Sequence, residues 1–283
     1  MGGLGNQLFQ YGAGRSLMEK NPGSKLYWFF EDNYPLARRS YALSPFRVQA
    51  ERATSKLLKK IGPERGIYRR VLRMLNMPIE RAVVREKKVF EFDPEFFTTT
   101  TDSYLIGFWQ SYRYLDNIRD LLTNELSLAQ RSVSMNAMWA RISQARCPVA
   151  LHVRRSDYLK KASGFQSLPL EYYEKAINQT VSRFPEATFF VFTDDVSWVS
   201  NEFLRLIGIG QSVIVSDGVL TDAEELMLMR QCHHNIIANS SFSWWGAWLG
   251  VPEDRLVIAP EKWNGVDSGI PLIDLIPPSW VLL

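Results

Sequence analysis

The chain of 283 residues is poor in cysteine and histidine, with two of the first and three of the second. Cys147 and Cys232 lie far apart and lack metal-ligand spacing, so we expect reduced thiols, without a disulfide framework or a zinc site. No apolar run approaches the roughly 20 residues that span a bilayer. The opening residues also lack the basic start and apolar middle of a signal peptide. We therefore expect a cytoplasmic globular protein.

The net charge is small, at +3, but it is unevenly distributed. The segment from Arg47 to Lys88 contains thirteen basic and four acidic residues, so the rest of the chain carries a net −6. A solvated pair of helices explains such a segment. Peripheral contact with anionic lipid at the inner face of a membrane explains it too, because apolar residues are interleaved with the charges. No base-stacking motif accompanies the charge, so nucleic acid is not an expected partner.

The chain changes character after residue 146. Before it, the pattern is irregular: a helix follows the opening glycines, and strands are predicted at Lys25–Phe30, Lys88–Phe92 and Tyr104–Phe108. From Cys147 onward, short apolar strands alternate with helices, which predicts a parallel sheet covered by helices. We therefore place a domain boundary between residues 146 and 147, and expect ligands at the carboxyl ends of the strands.

Glycines open the chain and lead into the first helix. Gly3 and Gly5 permit close backbone approach, and a helix N-terminus offers unpaired N–H groups to an anion. No strand precedes these glycines, although a phosphate-binding loop ordinarily follows one. A phosphate loop and a plain turn both remain open.

Two arginines follow the predicted strand that ends at Val153. Strand alternation sends His152 and Arg154 to one side and Arg155 to the other. Guanidinium groups match phosphate oxygens in bidentate geometry, and Asp157 is placed to orient one of them. The alternative is a structural Arg–Asp ion pair with His152 in the core.

Polar residues follow two further predicted strands. The Asn-Ser-Ser run at 239–241 precedes a helix and is typical of a helix cap and anion cradle. Asp194 and Asp195 end another strand, but they lack the Asp-x-Asp spacing of a metal site. We favour a structural or hydrogen-bonding role for this pair and expect no metal.

Together, five motifs resemble the α-1,2-fucosyltransferases of glycosyltransferase family 11, in order and in spacing. They span nearly the whole chain: GGLGNQLFQY at Gly2–Tyr11, WQS at Trp109–Ser111, HVRRSDY at His152–Tyr158, FTDD at Phe192–Asp195 and LMLMRQCHHNIIANSSFSWWGAWL at Leu226–Leu249. The resemblance implies an α/β protein of the GT-B fold, with two Rossmann-like domains facing a cleft. Residues 1–146 would form the acceptor side and residues 147–283 the GDP-fucose-binding side. It further implies metal-free, inverting transfer of L-fucose from GDP-β-L-fucose to the 2-hydroxyl of a terminal galactoside.

The resemblance also assigns roles to the phosphate side of the site. Arg154 corresponds to the arginine that grips the donor pyrophosphate, with Arg155 beside it. Asn6, in the Gly-Asn-Gln element, resembles an asparagine that faces the phosphates from the other domain. Ser240 and Ser241 fall where relatives bind phosphate or ribose.

The remaining implied roles concern the nucleoside, the acceptor and the base. Glu225 stands where relatives have an aspartate for the nucleoside, so either this longer acid or Asp222 makes that contact. Trp109 and Gln110 are expected on the acceptor side. For a general base, Asp157 and His152 are both candidates, and either one can instead orient the arginines.

One departure from the family pattern leaves two competing interpretations. Relatives usually begin with a short apolar strand before the glycines, and we expect a loop without it to be less well fixed. A degenerate transferase that binds a GDP-sugar without catalysis is therefore an alternative, and donor hydrolysis would separate it from an enzyme. A nicotinamide dehydrogenase would need that strand and gives the double arginine no role.

Overall fold

The structure is a computed structural model that describes residues 2–29, 40–61, 82–155, 166–250, 254–263 and 272–283. The side chains of residues 59–61 and 82 are outside this description. Asp157 and about half of the basic 47–88 segment, residues 62–81, which include its second predicted helix, also lie outside the described residues.

A six-stranded parallel sheet forms the centre of the C-terminal half. Its strand order is β10-β9-β8-β5-β6-β7, and every pairing is parallel. The strands are β5 (Cys147–Val153), β6 (Ala187–Thr193), β7 (Ser212–Ile214), β8 (His234–Ile236), β9 (Val257–Ala259) and β10 (Val281–Leu282). β5 and β6 are buried along almost their whole length, as central strands covered on both faces must be. The predicted parallel sheet and the α/β class are confirmed.

Helices connect these strands, and the N-terminal half adds more. The helices are α1 (Leu4–Lys20), α2 (Ser55–Ile61), α3 (Arg119–Glu125), α4 (Val133–Gln144), α5 (Leu170–Arg183), α6 (Val196–Trp198), α7 (Leu204–Ile207), α8 (Asp222–Gln231) and α9 (Ser241–Trp248). Thr221 and Glu224 form a capping box that starts α8, and the Ser240 hydroxyl caps α9.

The N-terminal half contains two parallel strand pairs. β1 (Tyr27–Trp28) pairs with β2 (Glu51–Arg52), and β3 (Ala82–Arg85) pairs with β4 (Ser103–Ile106). The strand predicted at Lys88–Phe92 is wrong, because that segment is a turn in which Phe90 has a φ of 62°. Its apolar residues belong instead to the core: Phe90 is buried there and Phe92 packs against it.

The two halves pack together through α1 and α9. Phe9 of α1 lies 4.5 Å and 5.1 Å, between ring centroids, from the buried rings of Trp244 and Trp245. Trp248 is buried beside them, so the tryptophans of α9 are core residues. This core includes side chains from both sides of residue 146. The division into two domains at that position stays a prediction.

Buried polar contacts anchor the other face of α1. Arg15 donates from Nε to Glu125 Oε1 at 3.0 Å, and the Tyr11 hydroxyl donates to the same carboxylate. The Tyr11 oxygen in turn accepts from the backbone N–H of Gln49 at 2.9 Å. Across the ranges given above, no helix is both long enough and apolar enough to cross a bilayer.

Candidate active site

The N-termini of α1 and α9 meet at Gly5. A Cβ added to Gly5 would lie 2.4 Å from the carbonyl carbon of Ser241 and 2.6 Å from the amide nitrogen of Phe242. Only a glycine allows the first turns of the two helices to approach this closely. The opening glycines and the Asn-Ser-Ser run, which lie more than 230 residues apart in the sequence, therefore form one site.

Asn6 links three parts of the chain beside this contact. Its Oδ1 accepts a hydrogen bond from the Ser241 hydroxyl at 2.7 Å and another from Gln110 Nε2 at 2.7 Å. Gly3 is the N-cap of α1, and a Cβ added to it would meet nothing within 4 Å. Of the predicted site residues, the structure thus brings together Gly3, Gly5, Asn6, Gln110 and Ser241.

The charge at the helix ends favours an anion at this point. Neither α1 nor α9 has an acidic residue in its first turn, so the positive ends of both helix dipoles lack an internal counter-charge. The first turn of α8, by contrast, contains Asp222, Glu224 and Glu225. The junction of α1 and α9 is therefore suited to an external anion, and the N-terminus of α8 is not.

His152, near the end of β5, contacts the first turn of α9. Its Nδ1 lies 2.8 Å from the Ser243 hydroxyl, and its ring centroid is 5.8 Å from that of Phe242. Burial, with a further contribution from the charge of Arg154, lowers the pKa of His152 to about 3. The imidazole is therefore neutral at physiological pH. These features suit a side chain that fixes α9 against β5 better than they suit a general base.

Arg154 and Arg155 each contact an aspartate at the end of the neighbouring strand, β6. Arg154 Nε lies 3.4 Å from Asp194 Oδ2, and the backbone N–H of Arg155 donates to Asp194 Oδ1 at 2.8 Å. The Arg155 guanidinium pairs with Asp195 at 2.8 Å and covers the Trp198 ring at 4.5 Å. Asp194 thus holds the double-arginine segment in place. Asp157, predicted to orient an arginine, lies outside the described residues.

The two predicted nucleoside contacts differ in their surroundings. Glu225 accepts from the Ser216 hydroxyl at 2.9 Å, and that oxygen accepts from the backbone N–H of Thr193 at the end of β6. Burial raises the pKa of Glu225 to about 7; the Ser216 bond opposes this shift, and Asp222 and Asp217 add to it. Asp222 itself is exposed at the start of α8.

The loop that carries the predicted acceptor residues is held by a half-buried acid. Glu86 accepts from the backbone N–H groups of Phe108 at 2.8 Å and Trp109 at 2.9 Å. Trp109 has a φ of 57°, unusual for a bulky residue, and is only 2% exposed. Its ring packs 4.7 Å from that of Phe96, so Trp109 is largely a core residue. Gln110, by contrast, reaches Asn6.

Ser240 completes the anion cradle as the N-cap of α9. Its hydroxyl accepts from the backbone N–H of Phe242 at 3.3 Å, which leaves other N–H groups of the first turn for a ligand. In the described part of the chain, no three His, Cys, Asp or Glu side chains cluster as metal ligands. The residues at the junction offer donors to an anion and no set of acidic ligands.

Three supporting residues were not predicted as part of the site: Ser216, Ser243 and Glu86. Asp194 has the structural, hydrogen-bonding role that was expected of it. Asp194 and Ser243 lie inside recognised motifs, and the signal for Asp194 is its position directly after a strand beside the arginine segment. Ser216 and Glu86 act through side-chain contacts 9 and 22 residues away, which no local pattern indicates.

In α/β proteins with a parallel sheet, ligands bind outside the carboxyl ends of the strands, and Arg154 and Asp194 lie at such strand ends. The family model described as "Glycosyl transferase family 11" matches residues 86–268 of this chain. The chain belongs to this family of glycosyltransferases.

Several known proteins are similar over almost the entire chain. The O-antigen biosynthesis glycosyltransferase WbnK of Escherichia coli is 33% identical, and the match covers 93% of this chain and 92% of WbnK. An alpha-1,2-colitosyltransferase of Escherichia coli is 29% identical, with 99% and 96% covered. Among solved structures, POFUT1 in complex with GDP-fucose matches at 13% identity and a TM-score of 0.45, with 92% of this chain and 95% of that one covered. An overlay this loose carries no argument about donor or mechanism.

Proposed function

We propose that this glycosyltransferase moves L-fucose from GDP-β-L-fucose to the 2-hydroxyl of a terminal galactoside, forming an α-1,2 linkage in oligosaccharide or surface-glycan synthesis. The observation that carries the proposal is the junction of α1 and α9 at Gly5, together with Arg154, which follows the strand whose His152 contacts the first turn of α9. Two helix N-termini without acidic residues and one guanidinium suit a diphosphate. Family membership supports the reaction type, and the resemblance to α-1,2-fucosyltransferases supports the donor and acceptor.

The diphosphate is the leaving group of the reaction. The bond between the fucose C1 and the β-phosphate oxygen breaks, the galactoside O2 bonds to C1 from the opposite face, and the hydroxyl proton passes to a general base. Negative charge grows on the departing GDP. The N–H groups of α1 and α9, with Arg154, are the donors that meet this charge, and fixed donors of this kind often contribute most to catalysis. No metal is needed in this scheme.

The side chains around the diphosphate hold it in place. Asn6 and Gln110 face it from the N-terminal half, and Ser240 and Ser241 from the start of α9. His152, neutral and buried, keeps α9 against the end of β5. Asp194 contacts Arg154 Nε at 3.4 Å, and a planar guanidinium matches phosphate oxygens in bidentate geometry.

Glu225 is the proposed contact for the nucleoside. Glu225 lies on α8 and accepts a hydrogen bond from Ser216. Because Ser216 is also bonded to the backbone of Thr193, Glu225 is close to the end of the strand that precedes Asp194. A carboxylate accepts hydrogen bonds from the N–H groups of guanine or from ribose hydroxyls. Asp222 is exposed beside it and is the alternative partner for the same groups.

A second donor has a specific observation in its favour. The alpha-1,2-colitosyltransferase relative is 29% identical, and the match covers 99% of this chain. Colitose differs from fucose by the absence of the 3-hydroxyl. The diphosphate site described above does not distinguish GDP-fucose from GDP-colitose. Discrimination would come from a hydrogen bond to that hydroxyl, which is absent with colitose.

The test is to incubate the purified chain with each donor and a panel of β-galactosides, in excess chelator. Product linkage is then read by NMR. Fucosylation at O2 of galactose without added metal is the expected result. Transfer from GDP-colitose alone would replace the donor, and recovery only with added Mn²⁺ would overturn the metal-free scheme. Tight GDP binding with neither transfer nor donor hydrolysis would indicate a non-catalytic GDP-sugar-binding protein.

Membrane contact is a separate part of the proposal, based on the net +9 of the segment from Arg47 to Lys88. Each basic residue close to an anionic surface contributes about 1 kcal/mol at most. Cosedimentation with phosphatidylserine vesicles should therefore occur at low salt and fade as salt is added. Equal recovery with neutral vesicles would contradict this part alone.

A further inference from the structure

A cavity of about 610 Å³ runs along the face of α1 that turns away from α9. The helix lines it with residues spaced three or four apart, including Gln7, Gln10, Gly14, Leu17 and Asn21. At 1.5 Å per residue, this stretch of α1 is about 21 Å long. The cavity is therefore deeper than a single sugar ring requires.

One end of the cavity adjoins the candidate active site. Gln7 lies in its wall and directly follows Asn6, while Trp109 lines the same end and directly precedes Gln110. Asn6 and Gln110 are joined by a hydrogen bond of 2.7 Å. A molecule that occupied the cavity would therefore extend from the point where the two halves meet toward Asn21.

The walls combine aromatic rings with hydroxyl and amide groups. Trp28 and Tyr41 are stacked with 3.9 Å between their centroids and 11° between their planes. Thr99, Thr101 and Ser103 also line the cavity. Ligand sites are commonly built from aromatic surface with a few polar groups, and sugars present both an apolar C–H face and hydroxyls to such walls.

Charge separates this cavity from the diphosphate site. Of its described lining residues, only Lys25 and Asp102 carry charge, and their signs are opposite. A neutral ligand matches this lining, and a nucleoside diphosphate does not.

We propose that the cavity along α1 is an extended acceptor subsite, which holds neutral sugars of the acceptor beyond the galactose that is modified. The assignment rests on the proposed function for the transfer step. It assigns the stacked pair of Trp28 and Tyr41 as an aromatic wall against a sugar distant from the reacting hydroxyl. Contacts there add acceptor affinity without touching the donor.

The test compares a short acceptor, methyl β-galactoside, with a neutral oligosaccharide that ends in the same β-galactose. Trp28→Ala should raise KM for the oligosaccharide about 3- to 10-fold, the range expected for loss of an aromatic contact. KM for methyl β-galactoside, kcat and the affinity for GDP should stay unchanged. Trp139→Ala removes a similarly half-buried tryptophan from α4, outside the cavity lining, and is the matched control.

A second variant and a binding measurement keep the test decisive. Thr101 is exposed at the cavity wall, so Thr101→Trp narrows the cavity without disturbing the core and should also weaken the oligosaccharide selectively. Saturation-transfer NMR with the oligosaccharide and GDP measures binding without transfer. Binding that weakens in both variants, in a protein that transfers no fucose, supports the subsite and refutes the proposed function.

Other outcomes overturn the subsite and leave the proposed function in place. In one, the two acceptors have the same KM in the wild type and in both variants. In the other, the variants raise KM equally for both acceptors. A selective loss seen only with an alkyl-linked galactoside would assign the cavity to a lipid tail instead of to sugars.

Discussion

Gly5→Ala is the perturbation that most sharply tests the junction of the two helices. The new methyl group would lie 2.4 Å from the carbonyl carbon of Ser241. Ordinary contact begins near 3.4 Å, so α1 and α9 must separate by about 1 Å, because the obstacle is backbone and cannot rotate away. The hydrogen bond from the Ser241 hydroxyl to Asn6, now 2.7 Å, would lengthen beyond useful range.

The expected cost follows from these contacts. Overpacking of this kind destabilises by about 1–3 kcal/mol, and the lost hydrogen bond adds about 0.5–1.5 kcal/mol. Alanine returns up to about 1 kcal/mol through its higher helix propensity. We therefore expect a net loss of about 1–3 kcal/mol in the free energy of unfolding. GDP affinity should fall about 10-fold, because the two sets of N–H groups no longer converge.

The assays are urea denaturation and calorimetric titration with GDP. Gly210→Ala is the control: it adds the same methyl group outside the candidate site, where the new Cβ would meet nothing within 4 Å. The control should change the free energy of unfolding by less than about 1 kcal/mol and should preserve GDP affinity. Wild-type stability and GDP affinity in Gly5→Ala would refute the convergence of α1 and α9 on one ligand.

Two further predictions concern buried groups of the C-terminal half. Because the folded-state pKa of Glu225 is raised to about 7, its contribution to stability is present below about pH 4.5 and is lost as pH rises through 7. In thermal melts, Glu225→Gln should flatten this decline in stability and be more stable than wild type at pH 8, by at most about 3 kcal/mol. Profiles of stability against pH that run parallel in the variant and the wild type would exclude the raised pKa. Ser243→Ala leaves the buried His152 without its 2.8 Å partner and should cost about 1–3 kcal/mol, whereas Ser200→Ala, at an exposed position of the helical turn after α6, should cost almost nothing. Equal melting temperatures for these two serine variants would contradict the role given to His152.

Local sequence patterns predicted the C-terminal half well because each of its strands and helices is marked by residues within the segment itself. β5 and β6 are short apolar runs between turn residues, and α8 and α9 begin at recognisable caps. The N-terminal half was harder. Lys88–Phe92 has the apolar residues of a strand, but tertiary contacts place Phe90 in a turn with its ring in the core.

The candidate site was predicted as separate motifs, and its assembly required the fold. Asn6, Gln110 and Ser241 are joined by hydrogen bonds across 104 and 235 residues, a proximity that no sequence spacing encodes. The Arg154–Asp194 pair likewise arises because β5 and β6 are neighbours in the sheet. Trp109 was expected at the acceptor, and its ring is mainly packed in the core.

The central claim is that Arg154 and the two helix ends hold the donor diphosphate. Its most direct measurement is calorimetric titration of GDP into Arg154→Lys and Arg155→Lys, followed by transfer assays. Lysine keeps the charge of Arg154 but loses its planar fork, so we predict weaker GDP binding and transfer about 10²–10³-fold slower in a protein that folds normally. Arg155→Lys should mainly lower stability, because Arg155 pairs with Asp195 and covers Trp198. Near wild-type turnover and GDP affinity in Arg154→Lys, with both lost in Arg155→Lys, would contradict the account.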